Sequence, residues 1–116
     1  MLSTQTLIEK IKQTPENVQF KEVIDVIERE YDFTPVAFTN GEQQNAINEN
    51  NGSCKIFSFA SIHQLTDAET LHLFGNFYRV DVLENLDATD HQNIRQFIKN
   101  GWSGIAFSST ALVNKN

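Results

Sequence analysis

The stretch from Phe20 to Tyr31 constrains the fold more than any other. Phe20, Val23, Ile24, Ile27 and Tyr31 recur at helical spacing, while Glu22, Asp25, Glu28, Arg29 and Glu30 fall on the opposite side. A stripe of this kind is stable in water only when another apolar surface covers it. The residues before it supply a first partner. Ser3 has the place of an N-cap, Leu2 and Leu7 have the spacing of a hydrophobic staple, and Leu7, Ile8 and Ile11 share one face. Thr14-Pro15 restarts the chain, with Thr as cap and Pro at the first helical position. The two segments are expected to form an antiparallel helical pair.

Further along, Thr66-Asp67-Ala68-Glu69 is a capping box. It predicts a helix running to about Leu83, with Leu71, Phe74, Phe77 and Tyr78 as its broad apolar face. Gly75 inside that helix costs about 1 kcal/mol relative to Ala, so it is expected to permit a close contact. Thr89 or Asp90 caps a last helix carrying Ile94, Phe97 and Ile98, and Gly101 ends it. The nearly continuous apolar run within Ser53 to His63 cannot be assigned by periodicity. It reads as a buried helix capped by Ser53, with a strand as the alternative. Pro35 biases Thr34 away from helix, so Phe33 to Phe38 reads as extended. Trp102 to Phe107 reads as a short strand that could pair near Val36.

The expected fold is therefore mainly α, or α+β: a compact single domain of four to five helices with a small two-stranded β element. The domain is expected over residues 1–108, with 109–116 as a partly ordered tail. Phe20, Phe57, Phe59, Phe74, Phe77, Phe97 and Trp102 are the expected aromatic core.

Composition narrows the classes of function. A 116-residue chain with 40% hydrophobic residues has enough apolar surface for a core and is too apolar to stay disordered. Its apolar residues are interrupted well short of the about 20 positions a membrane span needs. The net charge of -6 repels phosphate backbones, so no nucleic-acid partner is expected. Cys54 is the only cysteine, which excludes an intramolecular disulfide and a multi-thiolate zinc site. A lone thiol suits a reducing compartment, and the N-terminus lacks the basic and apolar regions of a secretory signal, so residence in the cytoplasm is expected.

Three blocks carry a resemblance. The first is Phe38-Thr39-Asn40-Gly41, followed by Asn45 and Asn50. The second runs from Asn51-Gly52-Ser53-Cys54-Lys55-Ile56-Phe57 to Thr70-Leu71 and Phe74-Gly75-Asn76-Phe77-Tyr78-Arg79. The third is Asp90-His91-Gln92-Asn93-Ile94-Arg95-Gln96-Phe97, continuing to Gly101-Trp102-Ser103-Gly104-Ile105. In order and spacing the chain resembles the HopJ family of bacterial proteins, named as type III secretion effectors, from the first helix to Phe107. It departs from the family pattern at Glu84 to Ala88, where Pro and Gly are usual, and at Asn76, where a larger polar residue is expected. The resemblance implies a bacterial protein without an attached reaction. It adds delivery into a host cell by type III secretion as a second location, with which the polar start Leu2-Ser3-Thr4-Gln5-Thr6 is compatible.

Two functional readings compete. The first and favoured one is a module that binds another protein or a small polar ligand through the asparagine-rich loop from Asn40 to Cys54. Asn40, Asn45, Asn50 and Ser53 can donate and accept hydrogen bonds there, although the same side chains can serve the loop's own backbone. Lys55, Arg79, Asp90, Asn93, Arg95 and Trp102 complete the candidate binding set. For Arg79, beside an aromatic helix face, a buried ion pair with Asp81, Asp90 or Glu69 is as good a reading as an anion site, and Trp102 reads better as a core anchor than as a stacking platform. The second reading is a cysteine-dependent hydrolase or transferase. If Ser53 caps a helix, the Cys54 thiol lies in its first turn, where the helix dipole and Lys55 favour thiolate. His91 would be the base, oriented by Asp90, Asn93 or Asn45. Against it stands the ordinary behaviour of free cysteine as a small buried hydrophobe. His63, His72, His91, Cys54 and Asp90 show no metal-ligand spacing, so neither a metal nor a cofactor is expected.

Overall fold

A computed structural model describes residues 2–115. The helical pair at the N-terminus forms as its periodicity predicts. Helix α1 (Thr4–Gln13) is capped by Ser3, whose hydroxyl accepts from the Thr6 N–H, and it buries Leu7 and Ile11. The restart at Pro15 produces only a 3-10 turn, Pro15–Asn17. Helix α2 (Phe20–Glu30) begins later, with the Glu22 carboxylate accepting from the Gln19 N–H at 3.1 Å, and it buries Val23, Val26 and Ile27.

The chain then turns into short strands. β1 (Tyr31–Phe33), β2 (Phe38–Asn40) and β3 (Gln43–Asn45) precede helix α3 (Asn51–Ile62), so the ambiguous apolar run is helical. Its face is continuous because the helix is central: Ile56, Phe57, Ser58, Phe59 and Ala60 are all buried. Helix α4 (Asp67–His72) opens with the expected capping box from Thr66 and Glu69. It stops far short of Leu83, because Gly75 takes a φ of +59° and turns the chain. A Cβ there would lie 2.7 Å from the Phe20 backbone nitrogen, so the glycine also admits the close contact that was expected of it. The chain resumes as a π-helical segment, Phe77–Val82. The break leaves Phe77 40% exposed, which removes it from the expected core.

Helix α5 (Gln92–Asn100) ends at Gly101 as predicted, and a 3-10 turn, Gly101–Gly104, leads into β4 (Ile105–Phe107). β4 pairs antiparallel with β2, Phe38 opposite Phe107, which realises the pairing expected near Val36. With β3 on the other side of β2, this is a three-stranded sheet in the order β3-β2-β4. A second, two-stranded sheet joins β1 to β5 (Leu112–Asn114), Tyr31 opposite Asn114. The fold is thus α+β with more strand than expected. Residues 109–116 were expected to trail as a tail, yet they include β5, and Ala111 and Leu112 are buried in the core.

Both ends of the described chain converge on Glu30. Its carboxylate accepts from the Thr4 N–H and hydroxyl, and its carbonyl accepts from the Lys115 N–H at 3.1 Å. The Thr4 bonds hold the Glu30 carboxyl below its usual range. Phe57, Phe59, Phe74 and Phe97 are buried as predicted, and Phe20 and Trp102 pack against that core while partly exposed. Trp102 is an anchor: its Nε1 donates to the Leu65 carbonyl at 2.9 Å, and its ring meets Phe97 edge-on at 5.1 Å.

Candidate functional site

Most of the candidate asparagines are spent inside the molecule. Asn40, Asn45 and Asn93 are buried. Asn93 Oδ1 accepts from Asn40 Nδ2 at 3.2 Å and from Asn45 Nδ2 at 3.1 Å, and Asn93 Nδ2 returns a bond to Asn45 Oδ1 at 2.9 Å. Asn40 Nδ2 also donates to the Asn93 carbonyl, and Asn50 Nδ2 to Asn45 Oδ1. This network ties the β2–β3 hairpin to the first turn of α5. It leaves the Asn40 Oδ1 without a hydrogen-bond partner among the described residues. The polar loop is therefore a clamp between elements, built mainly from side-chain pairs and not from bonds to the loop's own backbone.

What the clamp positions is a cleft of about 430 Å³. Two helices begin at its wall. Asn50, Gly52 and Ser53 of the α3 start line one side, and His91, Gln92 and Asn93 of the α5 start line another. The residues before the two helices share one backbone geometry: Asn50 has φ 53° and ψ 48°, and His91 has φ 51° and ψ 48°. Both are left-handed, and neither offers a side-chain cap. The first N–H groups of a helix have no intrahelical acceptor, so the first turns of two helices bring unsatisfied donors to one cleft. The sequence reading put the caps at Ser53 and at Thr89 or Asp90 instead. The available signal was residue type, since Asn and His are enriched among non-glycine residues at positive φ. The apolar part of the cleft comes from Phe20, Phe74 and Phe77, with Phe20 and Phe77 edge-on at 5.0 Å.

His91 stands between the cleft and an acidic segment. Its Nε2 is 3.1 Å from Asp81 Oδ2 and 3.9 Å from Asp90 Oδ2, and its ring lies 5.3 Å from that of Phe77. It makes no hydrogen bond to Cys54. The thiol is fully buried in α3. Burial pushes it up, and the opposing contacts from the Val36 backbone, Ser58 and Lys55 do not offset that. The expectation of a dipole-activated thiolate is corrected on this ground. Ser53 does not cap the helix, the thiol sits in the core, and Lys55 turns away to Glu28 at 3.1 Å with its ammonium 4.9 Å from the centre of the Phe33 ring.

The two arginines act on the backbone. Arg79 donates to the carbonyls of Pro15, Val18 and His72, which fastens the π-helical segment to the turn between α1 and α2. Its Nη1 also lies 3.2 Å from His72 Nδ1. Arg95 pairs with Asp90 at 2.7 Å and donates to the Asn85 carbonyl at 3.0 Å. Arg79 forms none of the buried ion pairs expected of it among the described residues; the pair with Asp90 is made by Arg95 and is exposed. Asn50, Ser53, His91 and Asn93 are brought together at the cleft; Cys54, Lys55, Arg79, Arg95 and Trp102 serve elsewhere. No group of three or more His, Cys, Asp or Glu side chains suited to a metal occurs among the described residues, and none of their helices is long and apolar enough to cross a membrane.

Comparison with known proteins places the chain beside a family and a solved structure. The family model described as HopJ type III effector protein matches residues 4–112. The crystal structure of unknown function protein VPA0580, of bacterial (Vibrio) origin, is similar with a TM-score of 0.95 and 50% sequence identity, over 96% of this chain and 92% of that one. No curated protein matches significantly.

Proposed function

This chain belongs to the HopJ family, and on that premise we propose that it is a binding module whose binding face is the cleft between the starts of α3 and α5. One observation carries the reading: two helices open into the same cleft through uncapped left-handed residues, Asn50 and His91, above an aromatic floor. Unmet N–H groups suit an acceptor such as a peptide carbonyl or an amide oxygen. Phe20, Phe74 and Phe77 suit an apolar group attached to it. The occupant is a segment of another protein or a small ligand of that mixed character. The family description adds a setting, synthesis in the bacterial cytoplasm and delivery into a host cell by type III secretion. A translocation reporter fused to the chain tests that setting separately.

N-acetyl-leucinamide, which combines one apolar side chain with two amide carbonyls, is a suitable first probe. Saturable amide shifts at Gly52, Ser53, Gln92 and Asn93 are expected. A Gly52→Leu variant fills the cleft from an ordinary backbone conformation, since a Cβ at Gly52 meets only the Phe20 ring edge at 3.4 Å; it should abolish those shifts. A cleft unresponsive to this probe and to a panel of capped dipeptides would overturn the reading.

A further inference from the structure

The π-helical segment and the turn after it expose apolar side chains that the core could have taken. Among the described residues, Phe77, Val80, Leu83 and Leu86 are all exposed, Leu86 at 71%, within ten positions of one another. The exposed large hydrophobics elsewhere, such as Ile47, Ile62 and Val113, are scattered along the chain. The segment is firmly held. Arg79 bolts its start to the Pro15 and Val18 carbonyls, and Arg95 takes the carbonyls of Asn85, Leu86 and Asp90 at its end. An apolar surface kept exposed by such fastening marks an interaction site, and π-helical turns are frequent at functional sites.

Charge identifies the occupant. Asp81, Glu84, Asp87 and Asp90 fall between residues 80 and 90, which contain no Lys or Arg. Asp90 is answered by Arg95 and Asp81 by His91. Glu84 and Asp87 are exposed, and their carboxylates have no ion-pair or hydrogen-bond partner among the described residues. A second copy of this chain would bring the same carboxylates and be repelled, as would an anionic membrane. We propose that residues 77–87 receive a basic amphipathic segment of a partner protein, its apolar side chains covering Leu83, Leu86 and Phe77 and its Lys or Arg side chains facing Glu84 and Asp87. The proposal rests on the binding-module reading, because Phe77 and His91 are the wall that this surface shares with the cleft.

The test uses the full chain and a fluorescein-labelled amphipathic peptide of Lys and Leu, about 14 residues or four helical turns long, read by anisotropy. Saturable binding is expected for it and none for the same peptide with Glu in place of Lys. Glu84→Lys/Asp87→Lys and Leu83→Ser/Leu86→Ser should each weaken binding about tenfold or more, the loss of roughly one hot-spot contact. Glu9→Lys/Asp32→Lys changes the net charge equally on other surfaces and should leave affinity unchanged. Circular dichroism of each variant confirms the fold. Equal weakening by the Glu9/Asp32 control, or no binding of the Lys peptide, overturns the proposal. So does a dimer in sedimentation that Leu83→Ser/Leu86→Ser dissolves. Binding lost in Gly52→Leu but intact in both surface doubles overturns it and leaves the cleft reading standing. Binding intact in Gly52→Leu but lost in the surface doubles supports it and leaves the cleft without a part in this partner.

Discussion

The helices of this molecule begin in two ways. α1, α2 and α4 close their first turns with their own side chains, through Ser3 with Thr6, through Glu22, and through Thr66 with Glu69. α3 and α5 begin at left-handed residues and cap nothing, and they do so at one shared cleft. Capping satisfies backbone donors locally and costs no more than a hydroxyl or carboxylate in the right place. Its absence at both helices facing the cleft separates a half of the molecule that is finished internally from a half that has donors to offer.

The largest disturbance of that contrast comes from Asn93, which holds the open half in shape. Asn93→Ala removes one of two acceptors from each of the Asn40 and Asn45 amide nitrogens and one of two donors from Asn45 Oδ1, and is expected to cost about 2 kcal/mol, the sum of a few ordinary hydrogen bonds. Urea unfolding would show it, and a loss below about 1 kcal/mol would mean that the network does not hold the hairpin to α5. Cys54 probes the same half differently. Alkylation of the native thiol should proceed only as fast as the molecule opens, and rise sharply in denaturant, since burial both hides the sulfur and disfavours thiolate. Rapid native labelling at neutral pH would restore the nucleophile reading.

In the capped half, Ser3→Ala and Thr66→Ala should each cost about 1 kcal/mol in thermal unfolding. Acid should loosen both halves, through His63 at the end of α3 and His72 at the end of α4. Burial lowers the folded-state affinity of His63 and His72 for protons, with Arg79 adding to the effect at His72. A histidine shifted this way contributes fully above its unfolded value. Its contribution is lost as pH falls below about 6.5. Tm should drop on going down from neutral pH, and His72→Gln should flatten the slope; an unchanged slope would place the proton uptake elsewhere. The smallest effect is expected at His91→Gly. Relief of a left-handed φ offsets the loss of the exposed Asp81 pair, and stability should stay within about 0.5 kcal/mol.

The difference between the halves also explains what could be read from sequence. α1, most of α2, the start of α4 and the end of α5 were visible because period, caps and a terminal glycine are local signals. The pairing of β4 with β2 was legible as two extended segments, one around Val36 and one from Trp102 to Phe107. The long helix through Gly75 was overextended, because its apolar period continues past a residue that the Phe20 backbone forces into a turn. The asparagines were recognised as a group, but their inward direction depends on α5 lying against the hairpin, which no local pattern encodes. The starts at Asn50 and His91 were missed for the opposite reason: Ser53 near the first, and Thr89 and Asp90 near the second, are equally good or better capping residues and are not used.

The meeting of Thr4 and Lys115 at Glu30 has a mechanical consequence. Load applied between Thr4 and Lys115 reaches the Glu30 bonds first, before the core carries any of it. Because β5 runs antiparallel to β1 from that point, with Asn114 opposite Tyr31 and Leu112 opposite Phe33, the strand would peel off one pair at a time instead of shearing all its bonds together. The β5 attachment would thus yield to such a pull at lower force than a strand whose pairs must all shear together.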